Sequence, residues 1–236
     1  MVPSSGSKDP DSQTGRWLLE AYKILNDTFG DLHWWPGDSQ LEIIVGAILT
    51  QNTSWQNVER AIAAIKEREL LNTSFFIETD DHALANLIRP SGYYNIKAKR
   101  LKSFFRFLKE NCNGSLEEMF SRDLSILRSQ LLEVNGIGEE TADSILLYAG
   151  EKPVFVVDTY TKRILGRHGI IEEKSTYADI QHLFMKHLPQ DVRLYNQYHA
   201  LIVETGKRYC RKESLCHACP LGHLDGHFSG RKDETE

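Results

Sequence analysis

Residues 131–163 read LLEVNGIGEETADSILLYAGEKPVFVVDTYTKR, and this stretch decides how the rest of the chain is interpreted. An apolar-periodic segment ends at a short turn, residues 135–138. A second helical pattern follows, with apolar side chains at Ala142, Ile145, Leu146 and Ala149. Gly150 and Pro153 then interrupt the pattern. The stretch therefore predicts two helices joined by a tight hairpin turn.

The hairpin turn is predicted to bind an anion. Its two glycines flank one apolar residue, which leaves backbone N–H groups exposed at the start of the second helix. Unpaired N–H donors and the helix dipole both favour negative charge at such a position. We therefore expect this turn to bind a DNA phosphate without reading the base, through Gly136, Ile137, Gly138 and Thr141.

Asp158 is the candidate catalytic residue. It follows the apolar run of residues 154–157 and precedes another helical pattern. Aspartate is a favoured N-cap residue, so a capping role for the helix that begins at Thr159 is the simpler interpretation. Both roles are compatible with the same position.

Two runs, GIGEETADSILLYAG (136–150) and VFVVDTYTKRI (154–164), resemble the helix–hairpin–helix, Gly/Pro-rich loop and aspartate signature of the endonuclease III superfamily of DNA glycosylases. The resemblance implies that Asp158 is the catalytic carboxylate and that the partner is double-stranded DNA with a damaged base.

The expected fold class is all-α, because nearly every segment has helical periodicity. The resemblance implies two helical domains with a DNA cleft between them. One is a helical barrel over residues 32–152. The other combines residues 15–31 with 153–225, and tails are expected at 1–14 and 226–236.

Length, composition and charge fit an ordinary globular protein of 236 residues with a formal net charge of −5. This charge argues against a protein that coats nucleic acid non-specifically. The sequence shows neither a membrane span nor a signal peptide, so we expect a cytoplasmic monomer without a membrane partner. A local basic face remains compatible with the net charge: Lys97, Lys99 and Arg100, in RPSGYYNIKAKRL, are expected to face phosphate.

The run HWWP, residues 33–36, and the segment ILTQNTSWQNV, residues 48–58, supply candidate base-binding residues. Flipped bases are read by stacking on aromatic side chains. By resemblance, Trp34, Trp35 and Trp55 line the base pocket and Gln51 fills the gap left by the extruded base. Core packing is the alternative for the tryptophans, and capping is the alternative for residues 51–53.

The resemblance also predicts the type of reaction. Bifunctional members of the superfamily form a Schiff base with the sugar through a lysine in the hairpin. That position holds Glu140, which cannot form one, so we expect a monofunctional glycosylase. Lys162, one helical turn after Asp158, is the alternative lyase nucleophile.

Three cysteines, Cys210, Cys216 and Cys219, lie in the run CRKESLCHACPL and suggest a metal site rather than disulfides. The superfamily often holds a [4Fe–4S] cluster here, which takes four thiolates. The fourth position falls near Asp225, flanked by His223 and His227, without a cysteine. A histidine or aspartate ligand, a zinc site or loss of the cluster are the open alternatives.

Within the superfamily, the HWWP run resembles the 3-methyladenine DNA glycosylase III branch. This resemblance, together with Trp55 and the missing lysine at Glu140, favours alkylated purines such as 3-methyladenine as the substrate. Leu201 departs from this branch, which is expected to carry a lysine there. A thymine or uracil mismatch glycosylase is therefore the runner-up, followed by a bifunctional glycosylase with lyase activity. A DNA-binding module without catalysis is the alternative of another class, although such a module would not need Asp158.

Overall fold

The computed structural model describes residues 12–35 and 37–224. The predicted tail at 226–236 and the candidate ligands Asp225 and His227 lie outside these residues, as does most of the predicted tail at 1–14. Over the described residues the chain is helical and contains no strand, so the all-α prediction is confirmed. None of the described helices has the length and apolar character to cross a membrane.

The chain divides into two compact units, and the first is Trp35–Lys152. Its helices are α2 (Gln40–Leu49), α3 (Trp55–Lys66), α4 (Thr73–Glu78), α5 (Asp81–Leu87), α6 (Tyr94–Cys112), α7 (Leu116–Phe120), α8 (Leu124–Glu133) and α9 (Glu139–Ser144). A 3₁₀-helix spans Arg89–Ser91, and α9 continues into a π-helical turn, Ile145–Ala149.

The second unit joins residues 12–34 to residues 153–224. It contains α1 (Gln13–Phe29), α10 (Thr159–Arg167), α11 (Tyr177–His187) and α12 (Val192–Arg208), with a 3₁₀-helix at Cys216–Ala218. Helix α1 begins within the predicted tail, because the Ser12 hydroxyl accepts a hydrogen bond from the N–H of Gly15 and caps it.

The core of the first unit is built around α6. Apolar side chains at helical spacing are fully buried along it, among them Leu101, Phe105 and Leu108. The Phe105 ring stacks on Phe76 of α4, with ring centroids 4.4 Å apart. Helix α6 is therefore firmly packed, and its residue Arg100 contacts the hairpin turn at Gly136.

The second unit is held together by contacts between its N-terminal and C-terminal parts. The hydroxyl of Tyr198 in α12 donates to the carbonyl of Leu18 in α1 at 2.8 Å. Gln197 donates to the carbonyl of Gly30 and accepts from the N–H of Leu32. Within the C-terminal part, Phe155 and Phe184 stack with centroids 3.7 Å apart. Helix α1 is therefore an integral part of this unit.

The two helices of the hairpin are joined by a buried ion pair. Arg128 of α8 donates to both carboxylate oxygens of Asp143 in α9, at 2.7 and 3.0 Å. The Asp143 side chain is fully buried, whereas Arg128 is 25% exposed. A bidentate pair of this kind is stronger and more directional than a single contact. It fixes the angle between the hairpin helices.

Replacing Arg128 with leucine should destabilise the protein by about 2–3 kcal/mol, because it leaves a buried carboxylate without its charge partner. The value is at the low end of the usual range since Arg128 is partly exposed. Urea unfolding measures this loss. Arg106→Leu, at an exposed position of α6, is the control and should change stability by less than about 0.5 kcal/mol. Equal effects of the two substitutions would contradict the account.

Candidate active site

Asp158 lies at the N-cap of α10, as its position before the helical pattern indicated. The buried run of residues 154–157 leads into it and anchors the backbone in the core. Its Oδ1 accepts two hydrogen bonds from Thr161, from the N–H at 2.7 Å and from the hydroxyl at 2.8 Å. The side chain is 10% exposed. One carboxylate oxygen is therefore fixed by the helix, and the other is directed elsewhere.

The other oxygen of Asp158 faces a histidine that sequence reasoning missed. Nε2 of His199 in α12 lies 3.8 Å from Oδ2 of Asp158. The His199 side chain is buried, and its burial lowers its pKa although the Asp158 carboxylate opposes that shift. A histidine inside the apolar run YHALIV (198–203) indicates a buried side chain, but the sequence does not show that Asp158 is its neighbour.

The hairpin turn adopts the predicted shape. Gly136 has a φ of +88°, which favours glycine, and Gly138 is the N-cap of α9 without a side-chain cap. The N–H groups of the first turn of α9 have no carbonyl partner within the helix. The N–H of Ile137 instead donates to the carbonyl of Val134 at 3.0 Å. Ile137 therefore closes the turn with its N–H, and this part of the phosphate-binding prediction needs correction.

Gln51 contacts the hairpin turn, and both belong to the first unit. Its Nε2 donates to the hydroxyl of Thr141 at 2.9 Å and to the carbonyl of Gly136 at 3.3 Å. The Thr141 side chain is buried, so only its backbone N–H remains a candidate for phosphate binding. The glutamine predicted to fill a gap in the duplex is thus bonded to the predicted phosphate-binding turn.

The prediction that Lys97 faces phosphate is wrong. Its side chain is buried, and its Nζ donates to the carbonyls of Leu49 at 2.8 Å and Ser91 at 2.6 Å. Burial, aided by the charge of Arg100, lowers the pKa of Lys97 to about 8. Lys99, by contrast, is exposed. The basic run therefore divides into a structural lysine and a solvent-facing lysine.

Two of the predicted pocket tryptophans come together in the first unit. The rings of Trp35 and Trp55 meet edge to face with centroids 5.1 Å apart, and Trp35 also packs on Tyr148 at 5.0 Å. Gly46 makes room for this group, since a Cβ there would lie 3.5 Å from both indoles. Tyr148, in the π-helical turn, was not predicted to take part.

Trp34 belongs to the other unit and has a different neighbour. The ammonium of Lys207 in α12 lies 5.6 Å from the centre of the Trp34 ring. This is the geometry of a cation–π interaction. The adjacent tryptophans therefore have separate surroundings.

The cysteine-rich segment does not match a four-thiolate cluster. The chain has four cysteines, and Cys112 lies in α6 of the first unit, which leaves Cys210, Cys216 and Cys219. Among the described residues, no group of three or more His, Cys, Asp or Glu side chains is arranged to hold a metal ion. Burial raises the pKa of the Cys219 thiol, and the neighbouring Cys210 and Cys216 act in the same direction.

Protein contacts hold this segment in place. Arg167 donates to the sulfur of Cys210 at 3.2 Å, and Leu221 is buried. A Cβ at Gly222 would collide with the carbonyl oxygen of Cys216. The described part of the segment is therefore packed by its own backbone and by α10.

Comparison with known proteins assigns residues 45–190 to a family described as HhH-GPD superfamily base excision DNA repair protein. The matched range includes Gln51, Trp55, the hairpin and Asp158. A protein of Methanocaldococcus jannaschii described as a DNA repair glycosylase is 52% identical over 206 residues, 86% of this chain and 93% of that protein. Endonuclease III of Thermotoga maritima is 29% identical over 181 residues, 76% of this chain and 79% of that enzyme.

Solved structures give the same result for the fold. The Helicobacter pylori 3-methyladenine DNA glycosylase bound to 1,N6-ethenoadenine has a TM-score of 0.71 and 30% identity, covering 81% of this chain and 96% of that one. A non-covalent endonuclease III–DNA complex has a TM-score of 0.76 at 21% identity, covering 89% and 94%. This second likeness concerns the fold alone.

The lowered pKa of His199 should make stability depend on pH. Below an ordinary histidine pKa of about 6.5, the unfolded chain binds a proton at this position that the folded chain does not. The free energy of unfolding should therefore fall as the pH drops from 7 to 5, by up to about 1.4 kcal/mol per pH unit for this group. Urea unfolding of the wild type and His199→Gln across this range measures the difference. Parallel curves for the two proteins would contradict the account.

Proposed function

Because this chain belongs to the HhH-GPD superfamily of base excision DNA repair proteins, we propose that this DNA N-glycosylase is monofunctional and removes alkylated purines such as 3-methyladenine. The membership confirms the resemblance read from residues 136–164. We further propose that the substrate is a flipped base in double-stranded DNA, bound by a monomer in the cytoplasm. The placement of the Asp158 carboxylate carries the catalytic part of the proposal.

The chemistry requires a fixed negative charge beside the sugar. As the bond between C1′ and the base nitrogen breaks, the base leaves with the electron pair and positive charge develops on the sugar. Oδ1 of Asp158 is occupied by Thr161. Oδ2 is therefore the oxygen that stabilises the charge and orients the attacking water. The water oxygen bonds to C1′ as its proton passes to Oδ2.

A neutral His199 leaves the negative charge of Asp158 uncompensated. A protonated imidazolium 3.8 Å from Oδ2 would cancel much of the carboxylate field at the sugar. Burial lowers the pKa of His199 and so favours the neutral ring. The full negative charge of Asp158 is then available to the cationic transition state.

The positions of the lysines support monofunctional chemistry. Glu140, at the place of the superfamily's lyase lysine, is exposed in the first turn of α9 and cannot form a Schiff base. Lys97 has a pKa near 8, which suits a nucleophile, but its Nζ is buried and donates to two carbonyls. Lys162 is exposed in α10 and carries no observation that favours a nucleophilic role.

The aromatic group of Trp35, Trp55 and Tyr148 supports an electron-poor base as substrate. Stacking a cationic ring on an indole gains about 0.5–2 kcal/mol of cation–π energy. Trp34 is less suited to this role, because Lys207 already lies over its ring and would have to be displaced. We therefore propose Trp35 and Trp55 as the stacking surface, with the 30% identity to a 3-methyladenine glycosylase as further support.

One residue favours the runner-up activity on mismatched thymine or uracil. Leu201 is fully buried in α12, at the position where the alkylpurine branch is expected to carry a lysine. Leucine cannot provide polar support to the site. A mismatched pyrimidine, which needs no cationic stacking, is the alternative substrate on this ground.

Labelled duplexes containing 3-methyladenine-type, uracil, G·T or oxidised lesions distinguish these activities. Each is incubated with the protein, and half of each sample is treated with alkali. We expect strand breaks only after alkali and only in the alkylated duplex, because the enzyme leaves an abasic site that alkali then cleaves.

Undamaged duplex of the same sequence is the control. Breaks without alkali would contradict the monofunctional assignment, and Lys162→Met would then test that lysine. Release of uracil or thymine alone would favour the mismatch activity over the proposed one. Binding without release from any duplex would identify a silent DNA-binding module.

A further inference from the structure

The side chain of Arg100 lies across the hairpin turn. A Cβ placed on Gly136 would collide with Cγ of Arg100 and come within 3.0 Å of its Cδ. The alkyl part of Arg100 therefore packs directly on the Cα of Gly136. Glycine is needed here both for its positive φ and for this close approach.

The guanidinium end of Arg100 reaches the same turn through Gln51. Nη1 of Arg100 donates to Oε1 of Gln51, whose Nε2 donates in turn to the carbonyl of Gly136 and to the hydroxyl of Thr141. Arg100, Gln51 and Gly136 thus form a closed ring of contacts, to which Gln51 joins Thr141; we call these four residues the clasp. Both functional ends of the glutamine amide are used within it.

The clasp has a rigid base. Nζ of Lys97, one turn before Arg100 on α6, donates to the carbonyl of Leu49 at 2.8 Å. Leu49 ends α2, two residues before Gln51. Lys97 thereby fixes the segment that carries Gln51 to the same helix that carries Arg100. Both sides of the clasp are anchored on α6.

We propose that Arg100 and Gln51 are positioning residues that hold the hairpin turn in the geometry that binds a DNA phosphate. The inference rests on the proposed function only in taking DNA as the ligand. The peptide between Gly136 and Ile137 is held at both ends, since its carbonyl accepts from Gln51 and its N–H donates to Val134. Its fixed plane sets the direction of the chain as it enters α9, and with it the N–H groups of the first turn.

This role differs from filling the gap left by an extruded base. A gap-filling glutamine matters only for a duplex with a base extruded or missing, whereas a clasp matters for undamaged duplex as well. It also differs from a direct phosphate contact by Arg100. The loss of a direct ionic contact lowers the salt dependence of binding by about one unit of slope, whereas Gln51→Leu changes no charge and should leave that slope unchanged.

The experiment uses the full chain with Arg100→Met, Gln51→Leu and the double variant. Arg106→Met, at an exposed position of the same helix, is the control. Methionine keeps the alkyl packing on Gly136 and removes the guanidinium. Fluorescence anisotropy gives the dissociation constant for undamaged duplex, and hydrogen exchange follows residues 134–141 without DNA. We expect each single variant to bind about tenfold more weakly, a loss of roughly 1.4 kcal/mol, and to exchange faster in the hairpin.

The double variant should bind no more than about twofold more weakly than either single variant, because both substitutions break the same ring. Arg106→Met should leave both the affinity and the hairpin exchange unchanged. Unchanged exchange in both single variants, strictly multiplicative losses of affinity, or losses confined to duplex with an abasic site would each overturn the inference. Neither readout requires base release, so a failure to excise alkylated purines would count against the proposed function and not against the clasp.

Discussion

The hydrogen bonds from Thr161 to Asp158 are the constraint on which the account of catalysis depends. They engage Oδ1 with the helix, which leaves Oδ2 as the oxygen that we propose acts on the substrate. Because the backbone before Asp158 is buried and the helix after it is packed on α12, the carboxylate is positioned before any substrate arrives. Preorganised charge of this kind needs no rearrangement when the glycosidic bond breaks.

In the first unit, the same principle applies to DNA binding. Its hairpin is held by the buried pair Arg128–Asp143 between the two helices and by the contacts of Arg100 and Gln51 across the turn. A backbone N–H carries no full charge, so the strength of its hydrogen bond to a phosphate depends on how well the N–H is aligned with the phosphate oxygen. Arg100 and the pair Arg128–Asp143 are bonded within the protein, and we infer that they hold these N–H groups in a fixed direction.

The sequence predicted the features that depend on local pattern. Helical periodicity, the hairpin turn and the capping position of Asp158 all follow from residues close together in the chain. The contacts that complete the site join distant residues. Gln51 is 85 residues from Gly136, and His199 is 41 residues from Asp158 in the sequence. A lysine in a basic run is usually exposed, so the sequence predicts an exposed Lys97. The carbonyls of Leu49 and Ser91 that bind its ammonium are distant in the chain or lie in a short 3₁₀-helix, and only the fold reveals them.

The most direct test of the central claim compares base release by the wild type and Asp158→Asn under single turnover, at enzyme concentrations that saturate the alkylated duplex. Asparagine caps a helix as well as aspartate does, so stability and DNA affinity should be retained. Asp191→Asn, at the N-cap of α12, is the matched control and should react at the wild-type rate. The account predicts that Asp158→Asn binds the duplex and releases no base. Release at the wild-type rate by Asp158→Asn would contradict it.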